Sequence, residues 1–135
     1  MAVGLSIRQP WVELILLGRK TIEVRTWTTN HRGMLWLHAG KAIDVSACKA
    51  HGVSCERLNR GELVGICELN DCVEFDESTW ETLRPRHLNF GPFTARRFGW
   101  MLAHVRRVPA TPLRGALGLM RLPDQFSTEG EERRD

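Results

Sequence analysis

No CxxC pair occurs among the four cysteines, Cys48, Cys55, Cys67 and Cys72, and no secretory signal is visible at the N-terminus. Such cysteines read as reduced thiols rather than a disulfide framework. Cys48, His51 and Cys55 do fall at helical spacing, but a zinc site needs a fourth ligand, and no second paired motif supplies one. Neither a metal nor a cofactor is expected. The chain also lacks a long apolar run. The longest, residues 14–17, is far short of a membrane span. A cytoplasmic protein without a membrane partner follows, with a monomer as the default. There is no internal repeat, low-complexity segment or interdomain linker, and the length suits one domain over residues 1–125. The polar, charged segment 126–135 reads as a disordered tail.

A second absence is electrostatic. From Arg84 to Arg121 there are eight arginines and no carboxylate. Residues 1–42 are also mainly basic, with six cations against two acids, whereas residues 43–83 carry nine acids against three cations. Any one such block is usually a solvated face. A run of 38 residues without an acid, interleaved with Phe90, Phe93, Phe98 and Trp100, suits a polyanion with stackable bases. The acidic middle block restricts that polyanion to one basic face.

Alternation and punctuation predict strands at 3–7, 21–25, 34–38, 63–70, 98–108 and 117–122, with 63–70 continuing irregularly toward 75. Gly65 marks a bulge or a close approach. Pro10 suits a first helical turn, and Gly18 a left-handed cap, so the main helix is 11–17. Asp44 caps a second helix to about residue 51, a helical turn covers 54–59, and Ser78 caps a short helix to 83. Residues 84–97 read as loop because of Pro85, Gly91 and Pro92. The fold class is mixed α/β (α+β): a small closed or nearly closed barrel of five to six strands with one main helix between the first two strands and minor peripheral helices.

Within 21–25, strict alternation puts Ile22 and Val24 on one face and Thr21, Glu23 and Arg25 on the other. A carboxylate two residues from a guanidinium can hold it in a fixed orientation. As a surface pair the two would contribute only about 0–1 kcal/mol. Arg8, Gln9 and Trp11, close to the end of the neighbouring strand, tip the reading toward a site. Lys20 shares the Glu23 face only if it belongs to the turn after Gly18 rather than to the strand. His38 ends the third strand and reads either as a proton-exchanging site residue or as a structural histidine bonded to backbone. Trp11 and Trp100 read either as stacking platforms or as core.

The stretch SIRQPWVELILLGRKTIEVRTW, with RGMLWLHAGK and the distal GWMLAHVRRV, resembles the ASCH domain family, named for homology to an activating signal cointegrator. Its signature G-x-K-x-x-E-x-R is matched by Gly18, Lys20, Glu23 and Arg25, and the flanking motifs resemble one bacterial branch. The resemblance covers about residues 3–122. It implies a barrel like that of PUA domains with a basic cleft at its mouth, and binding of RNA or a nucleotide-like ligand there. Arg8, Gln9, Trp11, Lys20, Arg25, His38 and Trp100 are the expected ligand-binding residues. The alternative is a metal-independent hydrolase, a ribonuclease or nucleoside amidohydrolase, with Lys20, Glu23 and Arg25 as its catalytic residues. In the amidohydrolase branch the position of Glu23 carries a threonine, a departure that weakens that assignment. Replacing Lys20 with alanine is expected to weaken binding or turnover with little loss of stability.

Overall fold

The computed structural model of the chain describes residues 2–126, in which the alternation along β1 (Val3–Gln9) buries Leu5, Ile7 and Gln9 and leaves Arg8 exposed. Helix α1 (Trp11–Leu16) follows directly and buries Trp11, Val12, Leu14 and Ile15. It ends as a glycine-terminated helix should: Gly18 takes φ +78°, and the N–H groups of Arg19 and Lys20 both donate to the Leu14 carbonyl. The chain then enters β2 (Ile22–Arg25) with Lys20 still in the turn.

The remaining strands are β3 (Gly33–Ile43), β4 (Glu62–Glu74), β5 (Phe98–Pro112) and β6 (Leu119–Arg121). The sheet order is β2-β5-β4-β3-β1-β6, with β1 and β3 parallel and the other neighbours antiparallel. The main core lies on the Leu5–Ile7 face of β1 and includes Leu14, Leu35, Leu37, Leu69, Trp100 and Leu102. A second cluster packs Ile22 against Phe75 and Trp80.

The expected barrel is not closed. β2 pairs only with β5, and β6 covers β1 only at Val3, Gly4 and Leu5. From Ser6 onward, that edge of β1 has no strand beside it among the described residues. The sheet nevertheless curls far enough for Arg25 of β2 to reach β1, where its Nη1 donates to the Ser6 carbonyl at 3.5 Å. A seam between β1 and β2 therefore replaces the last ladder of a barrel, with a guanidinium serving a carbonyl that a strand would otherwise pair.

Helix α2 (Val45–His51) is capped by Asp44, whose carboxylate accepts from the Ala47 N–H at 3.0 Å. Residues 55–57 form a 3₁₀ turn inside the expected 54–59 segment. Helix α3 (Glu77–Thr82) is capped by Asp76 rather than Ser78, because Asp76 and Thr79 exchange reciprocal bonds in a capping box. Residues expected as loop hold a further helix, α4 (Arg84–His87), with Pro85 in its first turn. A 3₁₀ turn at Asp124–Phe126 seats Phe126 on Trp36, and the rest of the expected 126–135 tail lies outside the described residues.

Candidate functional site: the seam between β1 and β2

Ser6, Ile7 and Arg8 of β1 and Glu23, Val24 and Arg25 of β2 line a cleft of about 290 Å³, closed by Trp11 at the start of α1 and by Asn89 after α4. On β2, Ile22 is fully buried in the Phe75–Trp80 cluster, and Val24 packs against it. That anchorage directs Glu23 and Arg25 into the seam. Thr21 does not join them: its hydroxyl accepts from Arg86 Nε at 3.0 Å, and its N–H donates to the Arg86 carbonyl, so it fastens β2 to α4.

Glu23 is the hub. Its Oε2 accepts from Arg25 Nη1 at 3.1 Å, and its Oε1 stands 3.6 Å from Lys20 Nζ. Lys20 is 1% exposed. Its ammonium donates to the His87 carbonyl at 2.5 Å and to Asn89 Oδ1 at 2.9 Å, and it lies 5.1 Å from the centre of the Trp11 ring. Three oxygens thus face three N–H donors. Burial lowers the Lys20 pKa to about 8, against the opposing pull of Glu23. Because Lys20 precedes β2, strand alternation does not separate it from Glu23.

His87 holds the other side of this arrangement. Its Nε2 donates to the Trp80 carbonyl at 2.9 Å, which leaves Nδ1 to accept the Asn89 N–H at 3.0 Å. Burial holds its pKa below the ordinary histidine value, as this neutral tautomer requires.

The expected ligand residues divide. Arg8, Trp11 and Arg25 line the seam, with Glu23 between them and Lys20 directly behind. Gln9 is buried elsewhere, tying the Glu13 N–H at the start of α1 to the Asn59 carbonyl. Trp100 is fully buried, with its Nε1 on the Trp27 carbonyl and its ring edge-on to Trp27 at 4.8 Å, so it offers no face to a ligand. His38 lines a different cavity, of about 720 Å³, with Lys41, Leu113 and Arg114. Its Nε2 donates to the Leu113 carbonyl at 2.6 Å, and its Nδ1 accepts from Ser6 Oγ at 2.9 Å. Ser6 and Asn89 line the seam although neither stands out as a site residue in the sequence. Alternation with Arg8 across Ile7 is the signal for Ser6. For Asn89 the only signal is Pro85, read as the start of a helix.

None of the arginines from 84 to 121 lines the seam. Arg84 is paired with Glu81 at 2.7 Å and Arg107 with Glu13 at 2.6 Å, so part of that block is neutralised by carboxylates from outside it. The seam's own cations, Arg8, Lys20 and Arg25, come from the N-terminal block. Cys48, which would head a zinc motif, is a buried free thiol whose pKa is pushed up to about 11 by burial and then by Cys55. Among the described residues no cluster of three or more His, Cys, Asp or Glu could hold a metal, and no helix is long and apolar enough to cross a membrane.

A family model described as ASCH domain matches residues 5–111. Human activating signal cointegrator 1 is 51% identical over 81 residues, covering 51% of this chain and 14% of that protein. The mouse protein of the same name is 40% identical over the same span and shares. The chain therefore spans 14% of the length of these curated relatives. Among solved structures, ASCH from Zymomonas mobilis superposes with a TM-score of 0.68 at 14% identity, covering 92% of this chain and 89% of that one. A variant of the same bacterial protein superposes at 0.67 with 13% identity, over 98% and 96% of the two chains.

Proposed function

The chain belongs to the ASCH domain family, and from that premise we propose that residues 1–125 form a binding unit whose β1–β2 seam receives the phosphate backbone of single-stranded RNA or a nucleotide. The observation that carries this reading is the Lys20–Glu23–Arg25 group, built into an unpaired strand edge beside Arg8. A carboxylate between two cations fixes both in place before a ligand arrives, which lowers the ordering cost of binding an anion. With Arg8 and Arg25 the site carries more positive than negative charge, and phosphate contacts of this kind give affinity and register.

Salt dependence tests the proposal. Binding of a short oligo(U) should weaken with rising salt, with a log–log slope of about −0.7 for each phosphate neutralised on a single strand. Arg8→Ala and Arg25→Ala should each make that slope shallower by about one such increment. Affinity that ignores salt, or variants with the parent slope, would refute it.

The Lys20 pKa of about 8 favours a second reading, metal-independent hydrolysis of the same ligand. Lys20 would then have to release His87 and Asn89 to present a free amine, with Glu23 as its proton acceptor. Products that accumulate with time from a bound RNA oligonucleotide, and fail to do so with Glu23→Gln, would establish that reading. Stable binding without products would exclude it for that ligand.

A further inference from the structure

Asn89 stands at the wall shared by two cavities. One is the seam; the other, about 480 Å³, is bounded by His51, Pro85, Leu88 and Phe90. The surface of this second cavity is mainly apolar, with the Glu81–Arg84 ion pair also on its wall. Phe90 lies nearly parallel to the His51 ring with centroids 5.4 Å apart, packs at 6.0 Å on Trp11, and is itself 53% exposed. A half-exposed aromatic ring beside a cationic cleft is the arrangement on which an unpaired base stacks.

The orientation of the Asn89 carboxamide follows from its surroundings. An ammonium only donates, so the atom 2.9 Å from Lys20 Nζ must be the oxygen. The Asn89 N–H goes to His87 Nδ1, and its carbonyl accepts from Arg84 Nη1 at 2.7 Å. Only the Nδ2 group, with two donors, has no partner among the described residues. Lys20 thereby turns an ambidextrous carboxamide into a one-way donor.

Building on the reading of the seam as a phosphate site, we infer that Asn89 is its specificity-determining residue: an unpaired base stacks on Phe90 in the second cavity, and Asn89 Nδ2 donates to a carbonyl oxygen on its edge. Uracil, cytosine and guanine carry such an oxygen. Adenine carries no carbonyl: its acceptors are ring nitrogens only, and on the Watson–Crick edge N1 lies next to an amino donor that opposes the Asn89 amide. Lys20 then has two tasks, holding Glu23 and setting the sense of Asn89.

The test is fluorescence anisotropy with labelled short oligo(U) and oligo(A), using the parent, Asn89→Asp, Phe90→Ala and Arg25→Ala. Asn89→Asp keeps an oxygen facing Lys20 but replaces the donors by acceptors. The parent should bind oligo(U) about tenfold tighter than oligo(A), the effect of one hydrogen bond gained and one donor clash avoided. Asn89→Asp should bring that ratio close to one, whatever it does to absolute affinity. Phe90→Ala, at an exposed position, should weaken both oligonucleotides by about tenfold with the salt slope unchanged. A salt-dependent complex that Arg25→Ala weakens, but whose U-to-A ratio is near one or survives Asn89→Asp, would overturn the role of Asn89 and leave the phosphate cleft standing. Absence of any RNA complex at low salt would overturn both.

Discussion

Lys20 Nζ stands 3.6 Å from Glu23 Oε1, with side-chain exposures of 1% and 7%. An ammonium and a carboxylate this deeply enclosed are tolerated only because their other hydrogen-bonding groups are met: Lys20 by His87 and Asn89, Glu23 by Arg25. The relationship changes the expectation for Lys20→Ala. Loss of a fully buried side chain together with the donor for two acceptors should cost about 2–5 kcal/mol of stability, rather than little. Urea denaturation measures it, and a cost below about 1 kcal/mol would show that Lys20 is not part of the folded framework.

The same pair makes stability depend on pH. Burial lowers the Lys20 pKa to about 8 from 10.5. Below pH 8 both folded and unfolded chains hold the proton, and the full desolvation cost applies. Between about 8 and 10.5 the unfolded chain binds more protons, so the stability contributed at this position rises with pH. The stability gap between the parent and Lys20→Ala should therefore widen by up to about 3 kcal/mol across that window. A gap that stays constant or narrows from pH 8 to 10 would contradict a depressed Lys20 pKa.

Gly65 offers a test of how closely the sheet is packed. A Cβ there would lie 2.4 Å from Leu16 Cδ2 and 2.9 Å from the Arg106 carbonyl oxygen. The leucine tip can yield, but the carbonyl belongs to β5 and cannot. Gly65→Ala should destabilise by about 1–3 kcal/mol while leaving the seam intact. Thermal unfolding checks this, and a melting temperature within a degree of the parent's would contradict the close approach.

Local signals in the sequence were legible where the physics is local. The Gly18 cap, the Asp44 cap and the alternation of Ile22 and Val24 against Glu23 and Arg25 depend on neighbours a few residues away. Gly65 announced a close approach by its residue type alone, whereas the groups it approaches, Leu16 and the Arg106 carbonyl, are distant in the chain. The openness of the sheet was not legible, because it depends on how far β6 runs along β1, a pairing between residues 3–5 and 119–121. The fate of Gln9, and which of the two readings holds for His38 and for Trp100, were not decided by the sequence for a related reason. Each is claimed by a distant backbone carbonyl, at Asn59, Leu113 and Trp27. Asn89 was invisible because Pro85 signals a loop as readily as a first helical turn, and its partner Lys20 lies 69 residues away.

The central claim is that the open β1–β2 edge is the ligand site, and amide chemical-shift mapping tests it most directly. Titration of the labelled chain with oligo(U) at low salt should move the amides of Ser6, Arg8, Trp11, Glu23, Arg25 and Asn89 together, with a common affinity that Arg25→Ala weakens. Shifts confined to the separate cavity around His38 and Arg114, with the seam residues unmoved, would contradict it.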